Sequence, residues 1–97
     1  KKIGETADSK YVIDSKLTKR VAEQFREEPD DILYVVMKFR RGTSVQKMST
    51  NQKRLADQLN KAKIDSDRTR FIVGENGNRQ TIFWLVPPGT EPPSVEN

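Results

Sequence analysis

Between Ile32 and Ala56 the chain carries Lys38, Arg40, Arg41, Lys47, Lys53 and Arg54 and neither Asp nor Glu. A stretch of that kind can hold anions. Arg40 and Arg41 follow an apolar run, "ILYVVMKF". They precede Thr43 and Ser44, either of which can cap a helix whose free N–H groups attract negative charge. Arg40, Arg41 and the Thr43 and Ser44 amides are therefore a candidate site for a carboxylate, a phosphate or an acidic polymer. The plainer alternative is a solvated basic loop, the commonest role of a charge run. "KFRR" also sets an aromatic among cations, as single-stranded nucleic-acid platforms do. Phe39, however, continues the apolar run and reads as core. Nothing fits an RNP motif and the net charge is only +4, so nucleic acid is the least favoured partner.

Other chemistry is excluded or weak. The chain has neither His nor Cys, which removes disulfides, thiolate zinc sites, cysteine nucleophiles, and every histidine-based triad or metal site. Glu27-Glu28 and Asp30-Asp31 flank Pro29 and suggest a turn rather than buried general acids. "VGENGN" is superficially like a phosphate-cradling loop, but it lacks the G-x-G-x-x-G spacing and leads into a strand. Tyr34 and Trp84 sit inside apolar strands, where aromatics serve as core. The expectation is a protein that is not an enzyme and uses no cofactor or metal.

At 97 residues there is room for one small core. The chain is 33% hydrophobic and 33% charged, with mean hydropathy −0.83, and its apolar residues are clustered rather than scattered. No apolar run approaches the roughly 18 residues of a membrane span. The first residues are Lys-Lys with no Met, which suggests a processed form or an excised piece.

The elements that would position the basic stretch can be read from periodicity. A short strand is expected at Lys2–Thr6, with Ser9 a candidate helix cap. Ile13, Leu17, Val21 and Phe25 recur every four residues, as on one face of a helix of about five turns that Pro29 ends. Ile32 to Phe39 reads as a strand covered on both faces. Val45, Met48, Leu55, Leu59 and Ala62 mark a second helix from Ser44 to about Lys63. A turn at Asp65-Ser66-Asp67 leads to a strand over Arg68 to Val73. Asn76-Gly77 then suits a tight type I′ hairpin into "TIFWLV", which is apolar on both faces and so internal. Pro87-Pro88 stops pairing. Residues 1–89 form the domain, and 90–97 read as a proline-rich tail or linker.

The pattern "VIDSKLTKRVAEQFREEPDDILYVVMKFRRG" resembles the opening of OmpA-like domains. "AKIDSDRTRFIV" is similar to their "GI-(D/P)-x-x-R" turn, with Lys63 where the family usually has glycine, and "TIFWLVPPGTEPP" resembles the ending of a divergent branch. The element order itself implies an α+β two-layer sandwich, a mixed sheet of three to four strands with two helices on one face, and the resemblance gives it the βαβαββ order with the first strand short or missing. The resemblance also implies a periplasmic or surface-exposed module of the bacterial envelope. In that family an Asp and an Arg clamp the diaminopimelate of the peptidoglycan stem peptide. Here the loop reads "FRRGTSV" and lacks the Asp. Asn51 stands where the family has its Arg, and Lys53 and Arg54 face elsewhere in that register.

The reading is a non-catalytic binding or spacer module whose site lies among Arg40, Arg41, Thr43, Ser44, Asn51 and Arg54. Its partner would be a peptidoglycan stem peptide, gripped by its carboxylates, or another anion. The alternative is docking of another protein through the apolar sheet face or the last strand.

Overall fold

A computed structural model describes residues 1–95 of the chain. It is an α+β two-layer sandwich in which two helices lie on one face of a four-stranded mixed sheet. The elements are β1 (Lys2–Thr6), α1 (Ser15–Glu27), β2 (Ile32–Phe39), α2 (Val45–Lys61), a 3-10 turn (Ser66–Arg68), β3 (Thr69–Glu75) and β4 (Gln80–Val86). No helix among the described residues is long and apolar enough to cross a membrane.

The sheet order is β1-β4-β2-β3, with β4 antiparallel to both β1 and β2, and β3 parallel to β2. The expected Asn76-Gly77 hairpin is therefore not formed, because β3 and β4 flank β2 on opposite sides. Gly77 alone takes a left-handed backbone (φ 86°), whereas a type I′ turn needs two such residues. The loop crosses over the end of β2, where the Asn76 N–H donates to the Phe39 carbonyl at 3.0 Å. The physical reason is burial. β4 is apolar on both faces and has both edges paired, as a central strand requires.

Alternation in the strands sorts the two faces. Leu33, Val35, Met37 and Phe39 of β2 and Phe83 and Leu85 of β4 pack against Leu17, Val21 and Phe25 of α1 and Leu55 and Leu59 of α2. A Cβ at Gly4 would stand 2.7 Å from Leu17 Cδ1, so a larger residue there would displace the Leu17 side chain where α1 packs on β1. The helices begin where side-chain acceptors allow. Asp14, not Ser9, caps α1 by accepting from the Leu17 N–H at 2.8 Å. Ser44 caps α2 by accepting from the Lys47 N–H at 3.1 Å. Ile13 consequently precedes α1, which has 13 residues rather than five turns. Val45, expected on the buried stripe, is 78% exposed at the first turn of α2.

The opposite face holds Val36, Ile82 and Val86, all buried, beside the half-buried Trp84. The chain's own tail returns over it. The Val95 methyls lie 3.1–3.3 Å from the Cβ position at Gly74, and Asn76 Nδ2 donates to the Val95 carbonyl. Trp84 and Val86 line a groove with Glu91, Pro92, Pro93 and Ser94. The tail thus lies against the sheet through residue 95, and residues 96 and 97 lie outside the described residues.

The α2–β3 connection explains the "KIDSDR" segment. Lys63 is left-handed (φ 63°), the Ile64 N–H donates to the Leu59 carbonyl and the Lys63 N–H to the Asn60 carbonyl. This is a Schellman termination, and its customary apolar contact is supplied by the buried Ile64 and Leu59. A lysine there carries the steric cost that glycine avoids. Lys63→Gly should therefore stabilise the protein by about 1 kcal/mol, read as a rise in the urea midpoint with an unchanged slope.

Candidate anion cleft

The basic stretch meets the loop between β1 and α1. That loop is held by Asp8, whose Oδ2 accepts from the Lys10 and Val12 N–H groups at 2.9 and 3.3 Å. Tyr11 is forced into a left-handed backbone (φ 57°), costly for a large side chain. Its ring stacks on Phe39 with centroids 4.3 Å apart, and its buried hydroxyl donates to the Lys38 carbonyl at 2.6 Å. Gln58 clamps the far end of the loop, donating to the Ile13 carbonyl at 2.6 Å and accepting from the Ile13 N–H at 3.1 Å. The loop is thereby a fixed wall facing α2.

Two adjoining hollows lie between that wall and α2. The larger, about 570 Å³, is lined by Ser9, Lys10, Ser44, Gln46, Lys47, Thr50, Asn51 and Arg54. The smaller, about 210 Å³, is bounded by Tyr11, Phe39, Arg40, Thr43 and Arg79, and shares Ser9, Lys47 and Asn51 with the first. Lys10, Arg40, Lys47, Arg54 and Arg79 therefore converge, and no carboxylate lines either hollow. None of these five cations has an ion-pair partner among the described residues. Arg79 Nε is buried without a hydrogen-bond partner.

The sequence-predicted residues divide. Arg40, Thr43, Ser44, Asn51 and Arg54 border the cleft. Arg54 is not turned elsewhere: its Nη1 donates to Asn51 Oδ1 at 3.2 Å and to the Lys10 carbonyl at 3.1 Å, tying α2 to the wall. Arg41 lies outside, its Nε 3.7 Å from the Cβ position at Gly77. Nor is the Thr43 amide free for an anion, since its N–H donates to the Arg40 carbonyl at 3.2 Å and its hydroxyl donates there at 2.6 Å. Lys10, Tyr11 and Arg79 were missed. Arg79 comes from the β3–β4 loop, which a hairpin would have carried away from α2. The β2-crossing topology brings it in.

Burial pushes the Tyr11 phenol above its ordinary value of 10.0, partly opposed by Arg79 and Arg40. The folded state thus prefers neutral tyrosine. The stability this contributes is full below the unfolded value near pH 10 and is lost as pH rises through the folded one.

Among the described residues no three metal-ligating side chains cluster. Compared with family models and with curated proteins, the chain matches none.

Proposed function

We propose that this protein is a non-catalytic binding module that takes an anionic ligand in the cleft between the Ser9–Tyr11 wall and α2. The observation that carries this reading is the convergence of five cations from three separate segments on two hollows without a carboxylate. Like charges brought together without counter-charges cost stability, and a ligand anion offsets that cost. The OmpA-like resemblance supports a place in the bacterial envelope, periplasmic or surface-exposed. It offers the carboxylates of a peptidoglycan stem peptide as one ligand, held without the family's acidic partner.

Protein docking through the sheet is the second reading. The tail already lies on the apolar face, and both edges of β4 are paired, so the anion cleft is favoured.

The test is a backbone-amide NMR titration with a soluble diaminopimelate muropeptide and with inorganic phosphate. Saturable shifts at Arg40, Thr43, Lys47 and Asn51 are expected with at least one of them. Arg40→Ala should weaken binding about tenfold at an unchanged melting temperature, because the Arg40 side chain is exposed. A flat response to both anions overturns the reading.

A further inference from the structure

The two hollows differ in a way that narrows the ligand. The smaller places Arg40, Lys47 and Arg79 around a space of about 210 Å³ floored by Tyr11 and Phe39. The larger carries the hydroxyls of Ser9, Ser44 and Thr50 and the carboxamides of Gln46 and Asn51. From this juxtaposition we infer that the cleft takes a phosphorylated sugar, its phosphate monoester in the small hollow and its hydroxylated body in the large one. The inference rests on the cleft being an anion site.

Three observations select this class. An amino-acid zwitterion needs an anion for its ammonium, and neither hollow has one. A phosphate monoester is dianionic near neutral pH and offers three strong acceptor oxygens, so it satisfies several cationic donors where a lone carboxylate satisfies fewer. Arg79 also borders the small hollow and has no hydrogen-bond partner for its buried Nε, so its guanidinium can turn to such an oxygen without giving up a protein acceptor.

The large hollow suits the remainder of the molecule. The Thr50 hydroxyl donates to the Gln46 carbonyl at 2.9 Å and the Ser44 hydroxyl accepts from the Lys47 N–H at 3.1 Å, which leaves Thr50 an acceptor and Ser44 a donor. Ser9 and the Gln46 carboxamide make no hydrogen bond among the described residues. Donors and acceptors in alternation are what sugar hydroxyls match.

The deciding experiment exploits the absence of histidine and cysteine. The groups facing the small hollow are Arg40, Arg79, Lys47 and Tyr11, and the phenol of Tyr11 is pushed up, away from neutrality. A pH dependence between 5.5 and 7.5 then belongs to the ligand. Amide titrations of the whole chain would use glucose 6-phosphate, inorganic phosphate, glucose and the diaminopimelate muropeptide. Glucose 6-phosphate should bind more tightly than inorganic phosphate and should weaken about fourfold from pH 7.5 to 5.5, as a phosphate with a second pKa near 6 regains its proton. Arg79→Gln should cost about tenfold or more, while Arg20→Gln, in a separate hollow with Glu5, Asp14 and Lys16, should change nothing. Gln46→Ala should remove the advantage of glucose 6-phosphate over inorganic phosphate.

Binding of the muropeptide as tight as that of glucose 6-phosphate, or a pH-independent phosphate affinity, overturns the inference and leaves the anion cleft standing. No binding by any anion overturns both. Should Arg79→Gln fail to fold, the pH series on the native chain decides alone.

Discussion

Replacing Arg68 with alanine is expected to cost about 3 kcal/mol and to lower the melting temperature by roughly 15 °C. This side chain closes one end of the molecule. Its Nε donates to the Asp31 carbonyl at 3.1 Å, and its Nη2 donates to the carbonyls of Phe25 and Glu28 at 3.3 and 2.7 Å. Its guanidinium also lies 3.9 Å from the centroid of the Phe25 ring. Phe25 and Glu28 end α1, where carbonyls lack intrahelical partners and the helix dipole favours a cation. One residue therefore ties α1, the turn into β2 and the start of β3 together. Hydrogen bonds from a charged donor contribute more than neutral ones, and stacking on the ring adds to them. Arg68→Lys should recover only a minor part, because an ammonium cannot span those carbonyls while lying flat on the ring. Urea denaturation of the two variants decides. A loss under about 1 kcal/mol for Arg68→Ala would mean that the sandwich holds this corner by apolar packing alone.

The second large effect concerns the tail. A chain ending at Gly89 should lose about 3 kcal/mol, estimated from re-exposing apolar side chains at 1.5–3 kcal/mol each for full exposure, and should self-associate. Val36, Ile82 and Val86 are at most 7% exposed, on a face that no helix covers. Removing residues 90–97 takes Pro93 and Val95 from that face and bares the indole of Trp84. A contiguous apolar patch of this kind drives association in soluble proteins. Sedimentation velocity on the shortened chain should show dimers or larger species at micromolar concentration. A monomer with unchanged stability would mean that the tail only rests on the sheet.

Periodicity made much of this fold legible. Ile32–Phe39 was placed to the residue, because an eight-residue apolar run broken only by Lys38 and bounded by Asp-Asp and Arg-Arg-Gly leaves little choice. A cap at Thr43 or Ser44 was readable, since a hydroxyl before an amphipathic stretch has one common use; the structure assigns it to Ser44. The start of α1 was not. Ile13 continues the stripe in spacing but precedes the Asp14 cap, and the left-handed Tyr11 turn just before it leaves no mark in composition. The hairpin failed for a different reason. Asn-Gly reports a local turn, whereas the strand that β4 pairs with is decided by which edges and faces remain to be buried. That error hid Arg79, one of the three cations around the small hollow. Composition marks 90–97 as a proline-rich tail or linker and speaks of its stiffness, not of the contact it makes with the sheet.

The pairing of β1 with β4 also sets how the fold would respond to a pulling force. The Lys1 ammonium donates to the Leu85 carbonyl at 2.9 Å, and the Leu85 N–H donates to the Lys1 carbonyl at 2.8 Å. The chain enters β1 and leaves β4 side by side, at the same end of an antiparallel pair. Tension applied between residue 1 and the tail would first strip the tail from Gly74 and Asn76, then fall on that first pair of bonds and peel β1 away one rung at a time. Strands pulled from opposite ends share the force across the whole ladder; these do not. A tether built on this domain would yield at low force and lengthen, behaving as an extensible link between its attachment points rather than a rigid post.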